Sequence, residues 1–460
     1  MSAATKPIQP TDGMTITHDT VFAPGVYVLP DGLKIAGDGI TLDGGGATLV
    51  GVERRGAGIT IDGHTGVTVR NVRLRDYYHG IVARRAHQLT LAANQITSTG
   101  DIPANTIFLD IWLPAAEAYG GAILLEDVDG AAVHDNDVQH QLAGLLTYGC
   151  KRLDVRRNNA SYSSGYGIHL FETCESVFEE NYADYCCRYE PRDKPAPRVG
   201  AHTAGHMGAD ATGFLIVHNS SKNVFRRNFA RLGGDGFFLA GRSAKGEAVP
   251  CNDNLFEEND GSLSPNIAFE GTFSARNVYR NNWADRCNFG FWLGFSTDCT
   301  IEGSRMVHNR QAGIAVENGA RFEVRGNDFQ RNHIAGILMW SQYAETWFAE
   351  LPDQRTAHHW RITGNKFFGN GAGIAIRADQ EHGIRPLPPA ICGKRELRPH
   401  DHEIRGNDLQ DNRVGIHLLA TDRVTIEENT FNRNVEADIR REDDQDSQVG
   451  PNLGLRGAYL

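Results

Sequence analysis

Methionine is scarce in this chain, 5 of 460 residues, as suits a core of β-branched side chains with many tight turns between them. No apolar run approaches the roughly 20 residues of a membrane helix, so no membrane partner is expected. The first residues, MSAATKPIQP, carry neither a basic stretch nor an apolar core. No export signal is therefore expected in this chain, which leaves a cytoplasmic protein or one exported with its signal removed. Positive charge is in deficit: the formal net charge of −11 sets nucleic acid and anionic membranes aside as partners. The eight cysteines form no CxxC pair and no Cys/His metal spacing, so no metal is expected. Cys150 and Cys174 fall at nearly equivalent places in successive repeats and are a candidate disulfide, though small buried thiols are the plainer reading.

What the sequence does have is a repeat. An asparagine returns about every 22 or 23 residues at the end of one short phrase. The copies include AAVHDN at Asn136, LDVRRN at Asn158, SVFEEN at Asn181, NLFEEN at Asn259, FEVRGN at Asn327 and VTIEEN at Asn429, with Ser304 in a vacant slot. A period this short, made of alternating apolar residues and a turn, indicates a stacked β-solenoid whose amides form a ladder. A second phrase opens on glycine and alternates apolar residues, as in GIHLF at Gly167, GFFLA at Gly236, GFWLG at Gly290 and GIAVE at Gly313, with Asn266 read in the glycine slot of NIAFE. The expected fold is all-β: a single-stranded right-handed parallel β-helix of about 12–14 coils, with three parallel sheets and an Asn ladder.

One β-helix domain over 1–460 is expected. It comprises an N-terminal cap and first coils at 1–65, regular coils at 66–440 and a C-terminal tail at 441–460, where the acidic run EDDQD reads as solvated. Breaks in the period place insertions at 103–119, 187–209, 243–251, 341–358 and 378–400. All five border the glycine strands and would wall the outer face of that sheet into a cleft.

Alternation along a strand assigns the faces. Before each ladder residue the outward side chain is charged, an ordinary wet surface. Outward from the glycine strands come His169, Phe238, Trp292, Trp340 and Arg377, an aromatic face with a few charges. Aromatic rings beside carboxylates suit sugars. Glu270 and Glu317 read as one outward slot two coils apart with Gly294 between, their backbones roughly 9.6 Å apart at ~4.8 Å per strand. That separation fits an acid and a base in an inverting glycosidase; two glutamates facing solvent is the plain alternative. Trp292 and Trp340 would be sugar platforms and Arg377 a clamp. A second cluster gathers Asp210, Asp235, His169, His218, Tyr166 and Phe238 around the mouths of earlier glycine strands, although aspartate beside glycine is common in turns.

The opening HDTVFAPGVYVLPDGLKIAGDGITLDGGGATLVG and the repeats from about 14 to 440 resemble right-handed parallel β-helix proteins of the pectate-lyase-like superfamily, especially its bacterial carbohydrate-binding proteins and sugar hydrolases. The resemblance implies that the glycine strands form the first sheet, whose outer face typically carries the active cleft. Subfamily motifs are missing. The paired aspartates, GHG and RIK of polygalacturonases are absent, PHDHE at 399–403 matches the epimerase motif DPHD only superficially, and no lysine base or calcium-carboxylate cluster stands out. The chain also resembles the periplasmic accessory protein of copper-site assembly in nitrous-oxide reduction, but few methionines are present for soft copper binding.

The reading is a carbohydrate-active enzyme, a glycoside hydrolase acting on an oligo- or polysaccharide through Glu270 and Glu317, with Asp235 and Asp210 as the alternative pair. A polysaccharide lyase or uronate epimerase is an alternative, as is a non-catalytic glycan-binding or periplasmic assembly protein. No cofactor is expected, with calcium left open. A homo-oligomer, dimer or trimer, would use the outward apolar residues Leu146, Leu215 and Leu338.

Overall fold

The computed structural model describes residues 6–103, 106, 109–188, 211–342, 345–377 and 395–456. Two compact units divide the chain, Met1–Phe238 and Leu239–Leu460. In the first, long strands pair in parallel in the order Ala57–Asp62, His79–Arg84, Gly121–Glu126, Ala143–Tyr148, Tyr166–Phe171 and Thr212–Val217. A second parallel sheet of three-residue strands runs from Thr41–Asp43 to Val224–Arg226, and a short third sheet covers Val26–Val28 to Gln95–Thr97. The second unit repeats the plan. Its long strands are Ile267–Thr272, Phe289–Trp292, Ala312–Glu317, Ala335–Trp340, Ala372–Arg377, Val414–Leu419 and Ala437–Glu442. Among the described residues no helix is long and apolar enough to cross a membrane.

Glycine opens the long strands because the slot points into the coil, against the backbone of the next one. A Cβ on Gly313 would lie 2.7 Å from the Gly336 carbonyl oxygen and 2.7 Å from the Phe329 ring. On Gly373 it would lie 2.6 Å from the Gly415 carbonyl. Behind the slot the core is a file of stacked rings, such as Phe269 on Phe291 (centroids 4.9 Å apart) and Phe329 on Phe367 (4.7 Å).

Buried amides link each coil to the next. In the first unit Asn94 donates to Asn136 (3.0 Å), Asn136 to Asn158 (2.8 Å), Asn158 to Asn181 (3.0 Å) and Asn181 to Asn228 (3.0 Å). In the second, Asn327 donates to Asn365 (2.9 Å), Asn365 to Asn407 (3.0 Å) and Asn407 to Asn429 (2.9 Å). The Ser304 hydroxyl accepts from the Asn282 backbone N–H (3.1 Å) and keeps the chain of contacts unbroken there. A second file that the repeat phrase did not flag runs through Asn309, Asn332, Asn370, Asn412 and Asn434.

Three expectations are corrected. Cys150 and Cys174 are free thiols, and Cys174 lies in register with Lys151, which offsets the two cysteines by one position. The run EDDQD is not a tail after the last coil, although Glu442, Asp443 and Asp446 are exposed. Strands Ala437–Glu442 and Gln448–Val449 build one more coil, and the run ends the first of them and turns toward the second. There Asp443 pairs with Arg398 and Asp444 with Arg441 (both 2.6 Å). Leu146, Leu215 and Leu338 are buried within the chain and offer no apolar surface to a second copy.

Asn365→Ala would remove the donor to Asn407 and to the Val324 carbonyl (2.8 Å) and leave buried polar groups unmatched. Its unfolding free energy in urea is expected to fall by about 2 kcal/mol; an unchanged transition would contradict a structural role for the ladder.

Candidate functional site

In-register stacking sorts the outward side chains of the second unit into columns. One column holds Glu270, Trp292, Ala315, Leu338, Ala375 and His417. The next holds Glu317, Trp340, Arg377 and Leu419. Glu270 and Glu317 therefore do not share a slot. Ile267 stands opposite Phe289, so Ala268, not Asn266, takes the glycine position beside Gly290, and NIAFE moves by two residues. A methyl group is small enough to pass for glycine there. The same happens in Gly121–Glu126, where Gly121 faces His79 and Ala122 fills the slot. The two glutamates are separated by two strand spacings and two residues along the strand, roughly 12 Å between Cα atoms.

Trp292 lies between them. It neighbours Glu270 in register, and its indole N–H donates to Glu317 Oε1 at 3.2 Å. The Glu317 carboxylate lies over Gly294, where an added Cβ would meet Oε1 at 2.1 Å. Glu317 is only 8% exposed, whereas Glu270 and Trp292 are half-buried. Trp340 is corrected as a platform: it is 2% exposed, packed with Ala315, Leu338 and Ala375, and meets Trp292 edge to face at 5.4 Å. It packs against the Trp292 ring from two strands along the sheet. Arg377 borders a cavity of about 870 Å³ with Arg331, His333, Arg413, His417 and Glu436. Burial lowers the His417 pKa despite the Glu442 carboxylate 3.0 Å away.

Two insertions build a wall past the Glu317 end of the strands. Arg242, at the edge of 243–251, sits over the rings of Phe273 (5.2 Å) and Trp347 (4.7 Å) and pairs with Glu350. Asn318, next after Glu317, anchors 341–358 by donating to the Gln342 and Gln354 carbonyls (both 2.9 Å). In the first unit the described part of 103–119 packs near the start of the Tyr166 strand, where a Cβ on Gly165 would lie 2.8 Å from Leu109. Most of 187–209 and of 378–400 lies outside the described residues.

The other predicted cluster belongs to the first unit. Asp210 lies outside the described residues. Asp235 is buried at the head of Asp235–Ala240, and its backbone N–H reaches the Ala211 carbonyl at 3.4 Å. His169 is 2% exposed among Tyr148 (5.2 Å), Tyr166 (5.4 Å) and Phe171 (6.4 Å), and Phe171 stacks on His218 at 3.9 Å. Neither His169 ring nitrogen has a hydrogen-bond partner among the described residues. Burial, with the His218 charge as a lesser cause, pushes its pKa down to about 3. Thus His169, Tyr166 and His218 come together, while Phe238 is half-buried further along its own strand.

Sequence reasoning passed over one group. Among the described residues, His359, His400 and Asp401 each present a ligand atom, all within 4.8 Å of one another. The signal was there: His358 and His400, like His359 and Asp401, keep the 42-residue interval of Asn365 and Asn407.

Residues 115–271 match the family model of the right-handed β-helix region. The chain is a right-handed parallel β-helix protein. Residues 210–385 of this β-helix match the model of a family described as periplasmic copper-binding protein (NosD). Solved structures similar to it include the periplasmic alginate epimerase AlgG, at 13% identity and TM-score 0.46, over 79% of this chain and 77% of that one. The A-module of a mannuronan C-5 epimerase of Azotobacter vinelandii is 12% identical with TM-score 0.38, over 95% and 90%. A surface protein and adhesin of Streptococcus pneumoniae is 11% identical with TM-score 0.33, over 97% and 90%. No curated protein matches the chain.

Two predictions follow from the site's geometry. In the β-helix variant Gly294→Ala the new methyl should expel the Glu317 carboxylate and move the Trp292 indole N–H resonance, identified by its loss in Trp292→Phe; an unmoved resonance contradicts the contact. His169 is held neutral in the fold but takes up a proton when unfolded below about pH 6.5. Its contribution is therefore intact above that pH and is lost as pH falls toward 3, by at most about 1.4 kcal/mol per pH unit. His169→Phe should gain stability relative to the parent chain between pH 7.5 and pH 4.5 in urea titrations. An equal difference at both pH values would contradict neutral burial.

Proposed function

We propose that this β-helix binds an oligo- or polysaccharide across the outer face of the second unit's long-strand sheet and hydrolyses a glycosidic bond with Glu270 and Glu317 as acid and base. The observation that carries the reading is the arrangement around Trp292: a half-buried ring with one glutamate in register beside it and another, buried, on its indole N–H. Glu317 leans across one strand over Gly294, toward the neighbouring column that holds Glu270, and two-carboxylate hydrolysis works with carboxyl groups roughly 5–9.5 Å apart. Trp292 would take the apolar face of a sugar ring and Arg377 its hydroxyls. Asp235 with Asp210 is the alternative pair, with His169, Tyr166, His218 and Phe238 as its substrate-binding residues.

A panel of glycans with products read by mass spectrometry tests the reading. Products that have gained water are expected, with turnover cut about 10²- to 10⁴-fold in Glu317→Gln and Glu270→Gln while binding persists. Unsaturated products would replace hydrolysis by elimination, and full activity in both variants would remove these residues from the mechanism.

The family match over 210–385 favours a second reading, a metal-binding protein that cleaves nothing. Copper binding without turnover of any glycan would support it.

A further inference from the structure

The second unit carries a histidine-rich turn that the glycan site does not use. His358 and His400 occupy equivalent positions in successive coils, bridged backbone to backbone, with their rings stacked at 5.2 Å and 6°. One residue on, His359 and Asp401 are again equivalent, both in the left-handed region at φ 55° and 57°. In the coils on either side, this turn position forms ion pairs between neighbours. Arg276 binds Asp253 (2.7 and 2.9 Å), Arg321 binds Asp298 (2.7 and 3.0 Å) and Arg423 binds Asp401 (2.8 and 2.9 Å). His359 falls between Arg321 and Asp401 and interrupts this alternation.

The donors are held in place before any ligand arrives. His400 Nδ1 is 2.6 Å from Asp401 Oδ2, His358 Nδ1 is 2.9 Å from His359 Nδ1, and His358 Nε2 is 2.7 Å from the Asp353 carbonyl oxygen. An ionised carboxylate offers about four acceptor sites. Arg423 and His400 use three on Asp401, which leaves one on Oδ1. His359 is exposed and the other two are half-buried. His359 and Asp401 also line a cavity of about 510 Å³. The group is thus fixed by its neighbours and reachable from solvent, as ligands of an exchangeable ion need to be.

We infer that His359, His400 and Asp401 bind one divalent transition-metal ion of borderline softness, such as copper(II) or zinc(II). Two imidazoles and a carboxylate match that class, and the set contains no thiolate or thioether to select copper(I). Three protein ligands leave coordination positions for water or for a donor from another molecule. The site is separate from the glycan reading and deepens the metal-binding one by giving it residues.

The test uses the full chain, stripped with chelator and titrated by equilibrium dialysis with copper(II) and separately with zinc(II), with electron paramagnetic resonance on the copper form. One ion per chain is expected, with nitrogen hyperfine structure from two imidazoles. His359→Ala alters an exposed side chain, so it should keep the parent's unfolding transition while affinity falls about tenfold or more. His400→Gln gives the independent check at the second nitrogen ligand. Stoichiometric binding that both variants retain would overturn this site while leaving the metal-binding reading in place. If the parent chain binds neither ion, both fail.

Discussion

Everything in this molecule depends on the register between one coil and the next, and buried amides hold that register. An asparagine in the file donates to the amide of the following coil and to a main-chain carbonyl, as Asn365 does to Asn407 and Val324. Its own oxygen accepts from the preceding coil, here from the Asn327 side chain and backbone N–H. A slip of one residue would strand these groups without partners in a buried turn and would turn every outward side chain inward. Because slipping is so costly, residues at one position of the repeat stack into columns, and a column is a fixed line of functional groups.

The proposed sites fall where a column breaks its own rule. Gly294 stands in the column of Glu317, Trp340 and Arg377, and its missing side chain is the space into which the Glu317 carboxylate leans. A buried carboxylate needs a donor, and Trp292 supplies one. Small residues at Ala315 and Ala375 make room for the Trp340 ring, which meets Trp292 edge to face. Asn318, Arg242 and Trp347 then hold the inserted segments beside it. The histidine turn follows the same logic, since His359 stands where neighbouring coils place one half of an ion pair.

The sheets and the first amide file were legible because they rest on local chemistry repeated many times. Asn after an apolar strand and Gly before one were enough. Exact register was not, since Ala268 does the work of glycine without looking like it, and Asn266 two residues earlier resembles a turn. The second amide file was written in GNDFQRN, GNKFFGN, GNDLQDN and ENTFNRN, as Asn followed by Asn five residues on, but the shorter interval was hidden inside the longer one. The acidic run at 442–446 looked like a tail because its partners are remote in the chain: Arg395 and Arg398 come from more than 40 residues earlier. Burial of Trp340 depends on alanines in neighbouring coils, and no single strand reveals it.

The central claim is that the Trp292 face of the second unit is the working surface. A crystal structure of Glu317→Gln with an oligosaccharide from the cleaved class addresses it directly. The account expects a sugar ring on Trp292 with a glycosidic oxygen between Glu270 and residue 317. A glycan bound instead along Tyr166, His169 and Asp235, with the Trp292 face bare, would contradict it.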